Sequence, residues 1–273
     1  MSQPKITVIT CTYNSSRNLR TTLDSVKEQT YRDFEHLFID GGSTDGTLDI
    51  IKEYYDDPVL IVGKDQDLYD AFNKGLRNAS GQVVGFLHSD DVFFDDRALE
   101  RVADAFKNKE IDYYCSRMVI YDEKLQTPFA LLGASPHRQT FRDQLYSSTY
   151  FAHPTYYCKK EIIERVGDFD RHYKVAADID WLYRLEQTTN RFYFEPSPLV
   201  KFRGAGGISA DRYFVGLAEE LAIRIKNEKP SFILYVVYSY HYLRRGVRFI
   251  LEKLRLFKVI NIIRKIILKT KNN

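Results

Sequence analysis

Cysteine is scarce and unpaired in this chain. Cys11, Cys115 and Cys158 are odd in number, far apart and without a CxxC pair, which argues against a disulfide framework or a structural zinc site and for a reducing compartment. Long apolar runs are also missing. The longest lies around residues 232–238, well short of the roughly 20 residues that span a bilayer. The opening MSQPKITVIT has no basic stretch followed by a long apolar one, so no secretory signal is expected and the cytoplasm is the expected compartment. Internal repeats and low-complexity linkers are absent as well.

What is present is enough for a substantial core. A chain of 273 residues with 44% hydrophobic and 28% charged residues can bury one large core or two modest ones beneath a soluble surface. Its net charge of +3 hides an asymmetry. From Pro230 onward Arg244, Arg245, Arg248, Lys253, Arg255, Lys258, Arg264, Lys265, Lys269 and Lys271 are opposed only by Glu252, and everything before is net acidic.

Hydrophobic periodicity predicts alternating strands and helices. A β-branched run at 5–10 is followed by cap residues Asn14 to Ser16, with Leu19, Leu23 and Val26 on one helical face. The pattern repeats with a strand at 34–39 and a helix through Leu48, Ile51 and Tyr55, then a strand at 59–62 and a helix near 69–76. A third repeat pairs a strand at 82–87 with a helix near 97–106. Such alternation implies an α/β fold built on a mostly parallel sheet covered on both faces. Beyond about residue 110 the pattern predicts strands at 113–121, 155–158 and 191–194 and helices near 160–166 and 179–187.

In such a sheet ligands bind beyond the carboxyl ends of the strands. The buried strand QVVGFL runs into His88, Ser89, Asp90 and Asp91. Adjacent carboxylates at a strand end repel unless a cation lies beside them, so a divalent metal is expected there. Thr12, Tyr13 and Asn14 end the first strand, and Asp40 to Thr47 follow the second. Asp65 and the run holding Asn73 and Lys74 follow the third, all on the same side. Gly41 and Gly42 let backbone approach a ligand, and Ser43 or Thr44 can cap the next helix. Asp40 is then expected to be free to accept hydrogen bonds from a nucleobase N–H.

The ordered strings TVITCTYN, IDGGSTDGT, DLYDAFNKG, GFLHSDD and AADIDWLYRL resemble the signature of family 2 glycosyltransferases with a GT-A fold, in particular bacterial polysaccharide and lipopolysaccharide enzymes. The resemblance covers residues 5 to about 210. It implies an inverting transferase that uses a nucleotide-diphosphate sugar and Mn²⁺ or Mg²⁺. By position, it implies that Tyr13 stacks near the base, Asp40 and Asp65 lie against it, Asp90 holds the ribose and Asp91 ligates the metal on the diphosphate. Thr12, Asn14, Asn73 and Lys74 join the nucleotide-sugar-binding set. Asp178 matches the family's base position, although its usual Glu-Asp pair reads Ala-Asp here. Asp180 is the competing base, and an N-cap role is open to either residue. Asp180, Trp181 and His153 are candidates for the donor or acceptor pocket. Arg203, before a glycine loop at 204–207, is a candidate phosphate contact or a surface residue at a turn. At Asp67 many relatives have glycine. No residue looks like an activated covalent nucleophile, in keeping with single displacement.

The expected organisation is a catalytic domain at 1–229, with a nucleotide-sugar part at 1–110 and an acceptor-side part at 111–229, followed by a helical extension at 230–273. In that extension Arg244, Arg248, Arg255, Lys258, Lys265 and Lys269 follow helical steps among large apolar residues. A basic amphipathic helix of this kind suits an anionic membrane surface, where a lipid-linked acceptor would lie, placing the enzyme peripherally at the inner face of the membrane. Packing of the extension on protein is the other reading. A UDP-sugar is the default donor and a glycan or lipid the default acceptor. Two other functions stay open: a non-catalytic nucleotide-sugar or glycan-binding protein, and a nucleotidyltransferase, for which the loop at 10–20 lacks a Gly-rich basic cradle. Nucleic-acid binding has no recognisable module here.

Overall fold

The computed structural model describes residues 4–133, 153–204, 212–227 and 232–253. Contacts divide the chain into two compact units, 1–207 and 208–273.

The first unit opens with β1 (Ile6–Thr12), α1 (Ser16–Lys27), β2 (Phe34–Asp40), α2 (Thr47–Tyr54), β3 (Val59–Val62), α3 (Leu68–Asn78) and β4 (Val83–Phe86). It continues through β5 (Val92–Phe93), α4 (Ala98–Asn108), β6 (Tyr113–Tyr121), β7 (Pro128–Gly133), β8 (Tyr157–Lys159), α5 (Lys160–Val166), α6 (Ala177–Thr188) and β9 (Phe192–Arg203). The described strands form one sheet in the order β3-β2-β1-β4-β8-β6-β9-β5, with β7 paired to β6. β1 to β4 are mutually parallel, β8 runs antiparallel to both β4 and β6, and β9 is parallel to β6. The sheet is thus a parallel half joined to a mixed half, the α/β architecture that the alternating pattern predicts.

The core follows from strand alternation. Ile6 and Val8 turn to one face of β1, where they pack with Val26 of α1 and Leu99, Val102 and Phe106 of α4. Phe38 of β2 joins Leu19 and Leu23 of α1 and Ile50 and Ile51 of α2. Ile9 and Ile39 turn the other way, toward α3. A side chain at Gly75 would stand 2.7 Å from Ile9 Cγ2, so the missing Cβ is what lets α3 settle so close to the sheet.

Three features depart from the strand pattern predicted above. β5 has two residues and β7 leaves Phe129 and Leu131 exposed, so neither carries a strong periodic signal. β9 extends to Arg203, beyond the strand expected at 191–194, and passes Pro196 and Pro198. Proline lacks a ladder N–H, and the pairing accommodates it with register shifts opposite residues 115–118. The extension brings Arg203 to the site.

In the second unit α7 (Tyr213–Asn227) packs on α8 (Phe232–Lys253). Arg224 pairs with Glu220 at 3.0 Å and lies over the Tyr238 ring. Composition placed a boundary at 229/230, whereas contacts group both helices in one unit, because a change in charge does not report which helices pack together. Arg255, Lys258, Lys265 and Lys269 of the expected basic stripe lie outside the described residues, as do residues 205–207 of the glycine loop. Among the described residues no helix is long and apolar enough to cross a membrane.

Candidate active site

β2 and β3 lie on one side of β1 and β4 lies on the other, so the winding direction reverses between β1 and β4. The carboxyl ends of strands open a crevice at such a switch point. Residues 12–14 leave β1 on one side of it and residues 88–91 leave β4 on the other.

Asp40 organises the wall of this crevice. It is fully buried at the end of β2. Its Oδ1 accepts from the backbone N–H groups of Gly42 and Ser43 at 2.9 and 2.7 Å. Its Oδ2 accepts from Thr12 Oγ1 and Ser43 Oγ, both at 2.6 Å. A carboxylate has about four acceptor positions, and all are taken. The expectation that Asp40 is free to receive a base N–H is therefore corrected: its charge stabilises the loop donors. Thr12 is likewise engaged in this bond. Asn14, at φ +49°, donates its N–H to Ser43 Oγ and accepts from Thr44 N–H through Oδ1, which ties the first loop to the second. Asp45 was not among the expected site residues. It accepts from Ser16 N and from both the N–H and hydroxyl of Thr47, and these bonds hold its carboxyl well below the usual range.

Beside this wall is a slot. The Tyr13 ring is 67% exposed, unusual for a large aromatic without a packing partner. A Cβ at Gly41 would stand 3.2 Å from Tyr13 Cδ2 and 3.1 Å from Asp65 Oδ2, so the glycine keeps the gap between aromatic face and carboxylate open. Asp65 Oδ1 accepts from Lys74 Nζ at 2.6 Å, and Lys74 also pairs with Asp70 at 3.3 Å. The bonds to Asp65 and Asp70 raise the Lys74 pKa.

Across the crevice Asp91 is fully buried. Its Oδ1 accepts the backbone N–H of Arg203 at 3.0 Å, while its Oδ2 has no hydrogen-bond partner. Burial first, and the neighbouring charge of Asp90 second, push this carboxyl well above the usual carboxylate range. An orphaned buried carboxylate oxygen costs several kcal/mol unless a cation or proton joins it (on the order of 1–3 kcal/mol or more), so Asp91 has the character of a metal ligand. Among the described residues no group of three or more His, Cys, Asp or Glu could hold a metal by itself. A single carboxylate with substrate phosphates completing the shell is the usual arrangement for Mg²⁺, and Asp91 fits it. Arg203 sits beside this turn: its Nε donates to Asp90 O at 3.0 Å and an Nη donates to Glu123 O. These bonds secure the turn.

Behind the turn is an aromatic cluster. Phe72 of α3 stacks on His153 at 5.1 Å and on His88 at 5.8 Å, and the two histidines stack on each other. His153 begins the 3-10 turn His153–Thr155. It is buried, its Nδ1 has no partner, and burial followed by His88 holds it well below the usual imidazole pKa. It is therefore a neutral ring. Trp181 is buried, stacks on Phe169 and donates Nε1–H to Gly167 O at 2.8 Å. It is a core residue rather than a pocket wall. Asn73 is also structural: Nδ2 donates to Phe169 O and Oδ1 accepts from Phe169 N–H, at 3.0 and 2.8 Å. These bonds tie α3 to the backbone at Phe169.

The two candidate bases separate. Asp180 is buried and paired with Arg184 at 2.9 Å. Asp178 is half-buried, with Tyr69 Oη 3.4 Å from its Oδ1. Neither caps α6 through its side chain, since both lie within the helix. Asp67 caps α3 by accepting Asp70 N–H at 2.9 Å and pairs with Arg171. Its Asp-to-Asp spacing before an amphipathic run is the signal that could have revealed the cap.

With all four acceptor positions of Asp40 occupied, Asp40→Asn should destabilise the protein by about 2–3 kcal/mol, because an amide N–H₂ would face donors. Urea unfolding measures this, and unchanged stability with weakened nucleotide binding would return Asp40 to the base-contact role.

The model of the family described as glycosyl transferase family 2 matches residues 7–167. A glycosyltransferase of PGL/p-HBAD biosynthesis from Mycobacterium bovis (strain BCG / Pasteur 1173P2) is 33% identical over 189 residues, covering 67% of this chain and 70% of the relative. An uncharacterized glycosyltransferase of Rickettsia prowazekii (strain Madrid E) is 24% identical over 208 residues, covering 73% and 64%. Among solved structures, residues 1–349 of S. aureus TarS in complex with UDP align at TM-score 0.63 and 22% identity, over 83% of this chain and 67% of that one. The mannosyltransferase PcManGT from Pyrobaculum calidifontis, in complex with GDP-Man and Mn²⁺, aligns at TM-score 0.63 and 21% identity, over 85% and 67%. With the family model spanning β1 to the end of α5 and a relative one-third identical over two thirds of its length, this chain belongs to glycosyl transferase family 2, as a GT-A-fold enzyme of sugar transfer.

Proposed function

We propose that this enzyme transfers a sugar from a nucleotide-diphosphate donor to a hydroxyl of a glycan or lipid-linked acceptor by metal-assisted single displacement with inversion. The observation that carries the reading is the buried, unpartnered Oδ2 of Asp91 beside Asp90 at the switch point. The slot between Tyr13, Gly41 and Asp65 receives the base, the ring stacking on it and the carboxylate accepting its N–H. Asp90 faces the ribose. A divalent cation held by Asp91 and the diphosphate supplies Lewis-acid stabilisation to the charge left on the leaving oxygen.

Asp178 serves as the base. Its carboxylate is half-buried, whereas that of Asp180 is buried against Arg184, and it takes the proton that the acceptor hydroxyl loses as the new bond forms. A β-linkage from an α-linked donor is the expected outcome. UDP is the proposed donor base, in keeping with an Asp65 acceptor for a pyrimidine N–H and with the UDP and UDP-GlcNAc carried by structural neighbours.

The second unit is proposed to dock on an anionic membrane. Phe232, Val236, Tyr240, Leu243 and Val247 are exposed on α8 at helical steps of four, four, three and four, and the chain beyond is basic. An apolar face with flanking cations suits a headgroup boundary.

Three measurements test these proposals. A thermal-shift panel of UDP, GDP, dTDP and CDP with and without Mn²⁺ should show metal-dependent stabilisation by UDP that is lost in Asp91→Asn; a shift retained in the variant would remove Asp91 as ligand. Asp178→Asn should keep that nucleotide-dependent shift while cutting sugar transfer by about 100-fold or more, and equal losses of both would sink its role as base. Removal of residues 244–273 should reduce co-sedimentation with phosphatidylserine vesicles, and unchanged sedimentation would refute docking through this segment.

A further inference from the structure

The segment that leads into Asp178 is fastened to α3 at three places along the helix. Asp67, at the N-cap, receives Arg171 through Nε and Nη2, both at 3.2 Å. Tyr69 donates its hydroxyl to Val175 O at 2.7 Å and lies 3.4 Å from Asp178 Oδ1. Asn73 exchanges two hydrogen bonds with the Phe169 backbone. Tyr69 and Asn73 are four residues apart and so project from one face of the helix. The Tyr69 ring is buried, stacked on Phe169 at 5.9 Å and edge-on to Phe72 at 5.7 Å, which leaves its hydroxyl no freedom to swing away.

We infer that Tyr69 is the positioning residue for Asp178: its hydroxyl pins the backbone at Val175, ahead of α6, and reaches the carboxylate, so that α3 sets where the base stands. The inference rests on reading Asp178 as the base. The hydroxyl stands 2.7 Å from Val175 O and 3.4 Å from Asp178 Oδ1. The shorter bond fixes the loop. The longer one shares the proton with the carboxylate and orients Oδ1. Charged groups also line the two segments that meet here. Arg171 and Lys174 face Asp67, Asp70 faces Lys74 and Arg171, Asp168 faces Arg77, His172 faces Asp170, and Asp180 faces Arg184.

α3 also carries Lys74, which holds Asp65 beside the base slot. One helix therefore fixes both a donor-side carboxylate and the acceptor-side base, and its close seating at Gly75 ties both to the sheet. Asp67 strengthens the arrangement by capping α3 through its side chain and holding Arg171.

The test follows the Asp178 carboxyl carbon by NMR in protein labelled with ¹³C at aspartate carboxyls, the resonance being assigned by its loss in Asp178→Asn. A hydrogen bond to a carboxylate favours its charged form. Tyr69→Phe should therefore move the Asp178 titration midpoint upward by about half a unit or more. Replacing Tyr69 with 3-fluorotyrosine, a stronger donor of nearly the same shape, should move it downward. Opposite shifts in the two variants support the inference, since a merely structural role would not reverse sign. An unmoved midpoint in the fluorotyrosine protein overturns it, and that protein remains decisive if Tyr69→Phe does not fold. Turnover of a UDP-sugar by Asp178→Asn is measured in parallel. Retained turnover would defeat the base reading while leaving the positioning contact intact, whereas lost turnover with unmoved midpoints would defeat the positioning inference alone.

Discussion

The carboxylate of Asp40 is the constraint on which the rim of this site depends. It stands at the end of β2, buried, and gathers Thr12 from β1 together with Gly42 and Ser43 from its own loop. Unpaired buried donors cost about 1–3 kcal/mol each, so one charge that satisfies three side-chain or backbone neighbours fixes a loop which would otherwise sample many conformations. Asn14 and Asp45 extend the same stitching to the first turns of α1 and α2. The exposed ring of Tyr13 and the open slot at Gly41 follow from that rigidity: a recognition surface can remain unfilled because the loops around it do not collapse into it.

On the opposite wall the logic is reversed. Asp91 is buried with one oxygen bonded and one not, and its neighbour Asp90 adds like charge. The fold maintains this unfavourable arrangement through Arg203, whose backbone N–H and guanidinium clamp the turn from β9. The fold thus keeps one buried carboxylate oxygen at this turn without a hydrogen-bond partner. β9 runs past its two prolines with a shifted register and ends at Arg203.

α3 joins the two halves. It sits against β1 and β2 through Gly75, holds Asp65 through Lys74, and fastens the segment before α6 through Asp67, Tyr69 and Asn73. The aromatic cluster of Phe72, His88, His153 and Phe169 fills the space beneath. Neutral histidines suit that apolar setting, because burial disfavours their charged form. Polar residues of the family pattern thus divide into those that face the crevice and those that hold it.

The amino-acid sequence determined the alternation of strands and helices, the carboxyl ends at which residues 12–14, 65 and 88–91 would converge, and the family. Periodicity and turn chemistry are local, and the first four strands and helices express them with little tertiary interference. What only the tertiary structure decided is which polar side chains were already spent. Asp40, Asn73 and Trp181 carry residue types that read as ligands in a motif, yet they are buried and their hydrogen bonds go to partners up to 96 residues away in sequence. Asp180 is engaged locally, by an i,i+4 pair with Arg184, whereas a long-range contact brought in Tyr69, 109 residues from the Asp178 carboxylate it approaches. Hydrogen-bond capacity is finite and is allotted by the folded geometry, so the sequence named the groups while the three-dimensional structure assigned their partners.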